Sequence, residues 1–273
     1  MGPCRANRKC RPEGLRAGAV RRYVPGMDFH SFDGTRLHVT DLGEGPPVLL
    51  LHGLFSSAET NWIRYGTARR LTEAGYRLIL PDFRGHGLSD APEGPEAWPA
   101  DVLAMDIEAL VAHLGLGGDF VLGGYSLGAR TVARLLARGM QPRAAIFAGM
   151  GLRGLTRGGD RAQFFIRMIE NRGTWPRGTP EFVAEAFMKS SVKNPDCIVH
   201  LLKGQQSTPE ETLRGFALPS LVVCGADDQD NGSAPELATV LPNARYAEIP
   251  GTHMGSVTRP ELAAAIAGFL KDR

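Results

Sequence analysis

The pentapeptide Gly124-Tyr125-Ser126-Leu127-Gly128 is the segment best equipped for chemistry. It ends an apolar run over residues 119–125 and opens a helix-like stretch over 126–138. A serine at so sharp a strand-to-helix turn is held out in a strained backbone conformation, and the residues two places either side of it must be small. Glycine meets that demand at both 124 and 128. The helix N-terminus adds a field that favours a developing oxyanion. Ser126 is therefore the candidate nucleophile.

A serine hydroxyl needs a base. Of the seven histidines, His253 is the candidate. It follows the last strand-like run in Ile249-Pro250-Gly251-Thr252-His253 and precedes the final helix, a loop position at one end of a sheet. His30 and His38 fit as alternating strand residues, His113 as a solvent-facing helix residue, and His200 as a packing residue. The base needs an acid to fix its tautomer. The buried run over 221–226 ends in Asp227 and Asp228, and carboxyl ends of strands are where open α/β sheets bind ligands. Asp228 is the chosen acid. Asp227 is the alternative, with a turn or cap role as its other reading.

These residues need a scaffold that brings distant segments together. Strand-like runs at 47–51, 76–81, 119–125, 144–150, 218–225 and 244–249 alternate with helix-like segments, among them 99–114, 126–138 and the last stretch. That alternation predicts an α/β fold, a mostly parallel sheet of about eight strands with helices on both faces. Two further strands, 28–32 and 35–41, flank an Asp33–Gly34 turn. Thr258 and Glu261 have the spacing of a capping box before the final helix. Residues 151–215 break the rhythm with short helices and Gly/Pro turns, and an insertion of that length reads as a functional lid. The domain reading is a basic tail at 1–25, a core at 26–150, the helical insertion at 151–215, and the rest of the core at 216–273.

Composition excludes several classes. Thirty-one Lys+Arg against 29 Asp+Glu leave a net charge of +2, too small for a strongly basic nucleic-acid binder. No apolar run reaches the 18 or so residues of a membrane span. Four cysteines without metal-ligand spacing give neither a disulfide scaffold nor a metal site. Residues 1–25 hold seven basic residues and one acid, with no apolar core behind the Arg21–Arg22 pair, so they read as a flexible tail rather than a secretory signal. A cytoplasmic location is expected.

The order Ser126, Asp228, His253 is the nucleophile–acid–base order of the α/β-hydrolases, which this sequence resembles over roughly residues 28–271. The resemblance also rests on His52-Gly53, on the segment from Asp82 to Ser89 (DFRGHGLS), on Gly225-Ala226-Asp227-Asp228 and on Gly251-Thr252-His253. Its G-x-x-D spacing favours Asp228 over Asp227. The resemblance implies an oxyanion hole from the backbone N–H of Leu54, or of Phe55, and that of Leu127. It makes His52 a structural turn residue. Arg84, His86 and Ser89 become hydrogen-bonding residues of a structural loop, and 151–215 becomes a small cap. Relatives that open epoxides or displace halide carry Asp at the elbow, so Ser126 points away from both.

The expected reaction is ester cleavage on a small-molecule, ester-like substrate through an acyl-enzyme, with no metal or organic cofactor. The alternatives are a thioester, lactone, amide or carbon–carbon bond cleaved by the same triad, or a ligand receptor with little turnover. Phe164, Phe165, Met168, Ile169, Phe182, Phe187 and Met188 are expected to line or cover the acyl or alcohol pocket.

Overall fold

The computed structural model describes residues 26–273. The tail expected at 1–25, with Cys4 and Cys10, lies outside the described residues.

Short apolar runs rich in branched residues form the centre of the sheet, where both faces are covered. These are β3 (Pro47–Leu51), β4 (Arg77–Pro81), β5 (Val121–Tyr125), β6 (Ala144–Ala148) and β7 (Ser220–Gly225). With β1 (Met27–His30), β2 (Arg36–Leu42) and β8 (Ala244–Ile249) they make one eight-stranded sheet in the order β1-β2-β4-β3-β5-β6-β7-β8. β1 and β2 pair antiparallel, as do β2 and β4, while the other pairs are parallel. The α/β class and the strand number follow the expectation.

Alternate residues along each strand face opposite layers. Leu49, Leu51, Leu122 and Phe147 pack on one face with α2 (Val102–His113) and α3 (Leu127–Ala137). Val48, Leu50, Val121 and Ile146 pack on the other with α1 (Thr67–Glu73) and the last helix, Pro260–Lys271. Between β6 and β7 run α4 (Leu152–Thr156), α5 (Gly159–Glu170), α6 (Pro180–Met188), α7 (Pro195–Lys203) and α8 (Glu210–Arg214). α9 (Ala234–Val240) and α10 (His253–Ser256) precede the last helix, α11.

Three local expectations are corrected. The β1–β2 connection spans five residues, 31–35, not two. Ser31 turns inward to donate to Asp106, and Asp33 caps the Thr35 N–H at 3.0 Å. The Thr258/Glu261 capping box does not form. Arg259 takes the cap position because Pro260, which lacks an N–H, suits the first helical residue, and Thr258 instead donates to the Gly255 carbonyl at 2.8 Å. The first turn of the 99–114 segment is not helical either, and α2 starts at Val102 after Asp101 in a left-handed conformation.

The loop after β4 is a buried polar hub. His52 donates from Nδ1 to the Gly53 carbonyl at 2.7 Å and accepts the Phe83 N–H on Nε2 at 3.0 Å. Both nitrogens are committed in one neutral tautomer, so His52 holds a turn, as the resemblance implied. Arg84 reaches beyond its own loop. Its guanidinium forks onto Asp106 of α2 at 2.6 and 2.7 Å and onto Asp33 of the hairpin at 2.9 Å, tying three segments together.

His52 and His86 make stability depend on pH. Burial pushes His52 down to about 4 from an ordinary 6.5, and burial plus the neighbouring His52 push His86 down to about 3. The unfolded chain therefore binds protons on these rings below 6.5 while the folded chain does not. Stability falls as pH drops through that window, by about 1.4 kcal/mol per unit for one ring. Urea midpoints measured from pH 7 to pH 4.5 should fall more steeply for the wild type than for His86→Asn. Parallel slopes would contradict this account.

Candidate active site

The carboxyl ends of β5, β7 and β8 put the three chemical residues at one edge of the sheet. Ser126 follows β5 directly, at φ 52° and ψ −108°, a conformation a side chain rarely adopts. The turn is tight enough that a Cβ on Gly124 would lie 2.2 Å from the Gly128 carbonyl carbon, and one on Gly128 2.2 Å from the Leu51 oxygen. Both glycines are therefore required by backbone approach.

Ser126 Oγ lies 3.0 Å from His253 Nε2, and His253 Nδ1 lies 2.8 Å from Asp228 Oδ2. A carboxylate only accepts, so Nδ1 carries the proton and Nε2 is left to accept from the serine hydroxyl. Asp228 and His253 are buried. Burial alone pushes the Asp228 carboxyl up, but the hydrogen bond and charge of His253, with the Asp230 N–H on Oδ1 at 3.1 Å, outweigh it and hold the group below its ordinary value. Asp227, one residue earlier, points to solvent, and its N–H donates to the Gly251 carbonyl. His253 is the first residue of α10 rather than a loop residue, because Thr252 caps that short helix through the Gly255 N–H.

Neither the Leu54 N–H nor the Leu127 N–H has an acceptor among the described residues, and both residues line the cavity beside Ser126. The Phe55 N–H has none either. Phe55 sits at φ 57° with its ring edge-on to Phe165 at 5.2 Å. The cavity measures about 490 Å³, within the range of small-molecule sites.

The structure divides the apolar residues expected around it. Phe164, Phe165 and Phe187 line the cavity. Met168, Ile169 and Met188 are fully buried and pack beneath it, while Phe182 is 38% exposed. The helical period decides this, since only one face of α5 and of α6 can look inward. His200 is half-buried in α7 and does not line the cavity, and His30 and His113 are exposed.

Four residues escaped the sequence reading. The Tyr125 hydroxyl donates to the His253 carbonyl at 2.6 Å and meets the buried Ser256 hydroxyl of α10 at 2.8 Å, pinning α10 to the elbow. The Cys224 thiol donates to Asp228 Oδ2 at 3.4 Å, and burial beside that carboxylate pushes the thiol up to about 12. Arg130 and Arg161 line the cavity. Arg130 was legible in principle, being one helical turn beyond Ser126 on the same face. Asp228, Asp230 and His253 bring three ligand-type atoms within 4.8 Å, but His253 Nδ1 and Asp228 are bound to each other and Asp230 is held by Arg161 at 2.6 Å. No helix among the described residues is long and apolar enough to cross a membrane.

Residues 46–150 match the family model of the alpha/beta hydrolase fold. A non-heme haloperoxidase from Rhodococcus erythropolis is 41% identical over 269 residues, covering 83% of this chain and 92% of its own. Epoxide hydrolase 2 of Siraitia grosvenorii is 38% identical over 93 residues, a match that spans only 28% of that protein. Among solved structures, an esterase from Exiguobacterium antarcticum superposes with a TM-score of 0.74 at 21% identity, covering 90% of this chain and 99% of that one. At that identity the likeness speaks for the fold alone.

Proposed function

This chain belongs to the α/β-hydrolase superfamily, and on that footing we propose that it is a serine hydrolase cleaving small to medium carboxylic esters through an acyl-enzyme. The observation that carries the reading is the unbroken chain of hydrogen bonds from Ser126 through His253 to Asp228. Ser126 is the nucleophile. His253 Nε2 takes its proton as Oγ attacks the ester carbonyl. The N–H groups of Leu54 and Leu127, with Phe55 as the alternative to Leu54, receive the oxyanion, and a donor of this kind is typically worth about 10²–10³ in rate. Protonated His253 then gives its proton to the leaving alcohol, Asp228 stabilising the imidazolium meanwhile. Water repeats the cycle on the acyl-enzyme, releasing the acid and restoring Ser126. Residues 151–215 act as a small cap, and their aromatic side chains contact the acyl or alcohol part.

The test is turnover of p-nitrophenyl esters from acetate to octanoate. We expect hydrolysis of the shorter members, falling off once the acyl chain outgrows the cavity. No turnover of any ester, with intact folding, would contradict the reading and favour a receptor. A second reading follows the Rhodococcus relative, whose name is non-heme haloperoxidase. Bromination of an organic acceptor by bromide and hydrogen peroxide, dependent on Ser126, would support that reading.

A further inference from the structure

Arg130 stands in α3 one turn beyond Ser126 and lines the same cavity. It is only 8% exposed, yet its guanidinium makes no ion pair or hydrogen bond with any described side chain. Its guanidinium packs against the backbone of Gly158 so closely that a Cβ there would lie 1.7 Å from Nη1. Burial, with Arg161 nearby, pushes its pKa down to about 10, so it remains a cation at neutral pH. Its guanidinium reaches the cavity but is largely withdrawn from bulk water, a setting that opposes a charge without a partner. Packing alone gives no reason for it, since a methionine of similar length would fill the space without a charge.

The surroundings are one-sided. A second cavity of about 320 Å³ shares Arg130, Gly158, Arg161 and Asp230 with the first and adds Arg153 and Arg157. Four guanidiniums line it, and Asp230 is the sole acid among its described lining residues. That carboxylate is already taken by Arg161 at 2.6 Å, which is itself stacked over Phe165 at 5.3 Å. Arg161 is thus neutralised and fixed, while no described side chain compensates the charge of Arg130.

Resting on the serine-hydrolase reading, we propose that Arg130 determines specificity by receiving an anionic group, carboxylate or phosphate, carried by the substrate away from the scissile ester. The guanidinium presents donors in a planar fork that matches two oxygens of either anion. A substrate with that group supplies the missing partner on binding. A neutral substrate leaves the cation buried and unpaired, and a site that loses a polar partner rejects the wrong ligand far more strongly than one that loses a methylene. The preferred substrates are therefore half-esters of diacids, or esters with a phosphate-bearing arm.

Monomethyl succinate, glutarate and adipate should be compared with their dimethyl esters by acid release in a pH-stat. Methyl 4-phosphonobutyrate serves as the phosphate arm. For the wild type, kcat/KM is expected to favour at least one anionic ester by tenfold or more, after halving the dimethyl value for its two bonds. The arm with the larger preference identifies the anion. Arg130→Met should bring the ratio close to one, mainly through KM for the anionic ester, and Arg130→Lys should keep part of it. A wild-type ratio within twofold overturns the inference, as does an Arg130→Met variant that loses both activities in proportion. Should Arg130→Met fail to fold, wild-type hydrolysis of dimethyl glutarate decides. Free glutarate should inhibit it competitively at concentrations at least tenfold below those needed for glutaramide, and equal inhibition overturns the inference. Turnover of p-nitrophenyl acetate without charge preference counts against Arg130 alone. Absence of all ester turnover counts against the hydrolase reading beneath it.

Discussion

His253→Ala is expected to lower kcat for p-nitrophenyl butyrate by about 10⁶, as loss of the base does in other serine hydrolases. The size follows from the geometry. His253 Nε2, at 3.0 Å, is the imidazole nitrogen hydrogen-bonded to Ser126 Oγ. His52, the nearest imidazole in sequence to the oxyanion donors, has both nitrogens committed to backbone groups. What survives should be the contribution of the oxyanion donors and of binding, roughly 10³–10⁴ over water. Steady-state assays on folded variant, checked by circular dichroism, measure it. A loss of less than a hundredfold would mean that another group takes the serine proton.

Asp228→Asn should lower kcat by about 10⁴. The side chain keeps its shape, but an amide can offer N–H to Nδ1 and so stabilise the tautomer that leaves a proton on Nε2, where the base must be free. The variant also loses the charge that stabilises the imidazolium. Asp227→Asn should stay within about threefold of the wild type, since its side chain is exposed and makes no contact with His253. This pair of variants separates adjacent carboxylates that sequence spacing alone left in competition. A larger effect at 227 would reverse the assignment. The same carboxylate contributes to acid sensitivity. Its folded-state pKa lies below its ordinary value, so its contribution to stability is present above that value and is lost as pH falls through the folded one.

Much of this was legible in the amino-acid order because each chemical residue sits at an element boundary with its own local signature. The elbow needs glycine at 124 and 128 for steric reasons visible in the pentapeptide. The buried strands read as apolar runs, and residues 151–215 read as short helices joined by Gly/Pro turns, of which α4 was not anticipated. Short helices escaped: α1 and α9 have seven residues each, too few for periodicity to stand out. The turn at 31–35 was misjudged because its shape depends on Asp106 and Arg84, which are far away in the chain. For the same reason the sequence alone does not show the roles of Tyr125 and Cys224. Their roles arise from contacts across the sheet edge, and a single segment carries no trace of those. Of the seven apolar residues expected around the pocket, three line it, because facing depends on how α5 and α6 roll against the core.

The central claim is that Ser126 is the activated nucleophile, and covalent labelling tests it most directly. A fluorophosphonate is added to folded wild type and the intact and peptide masses are measured. The account predicts one adduct per chain, on Ser126, with parallel loss of ester turnover, and no adduct on Ser126→Ala. An adduct on another residue that tracks the loss of activity, or labelling that persists in Ser126→Ala, would contradict it.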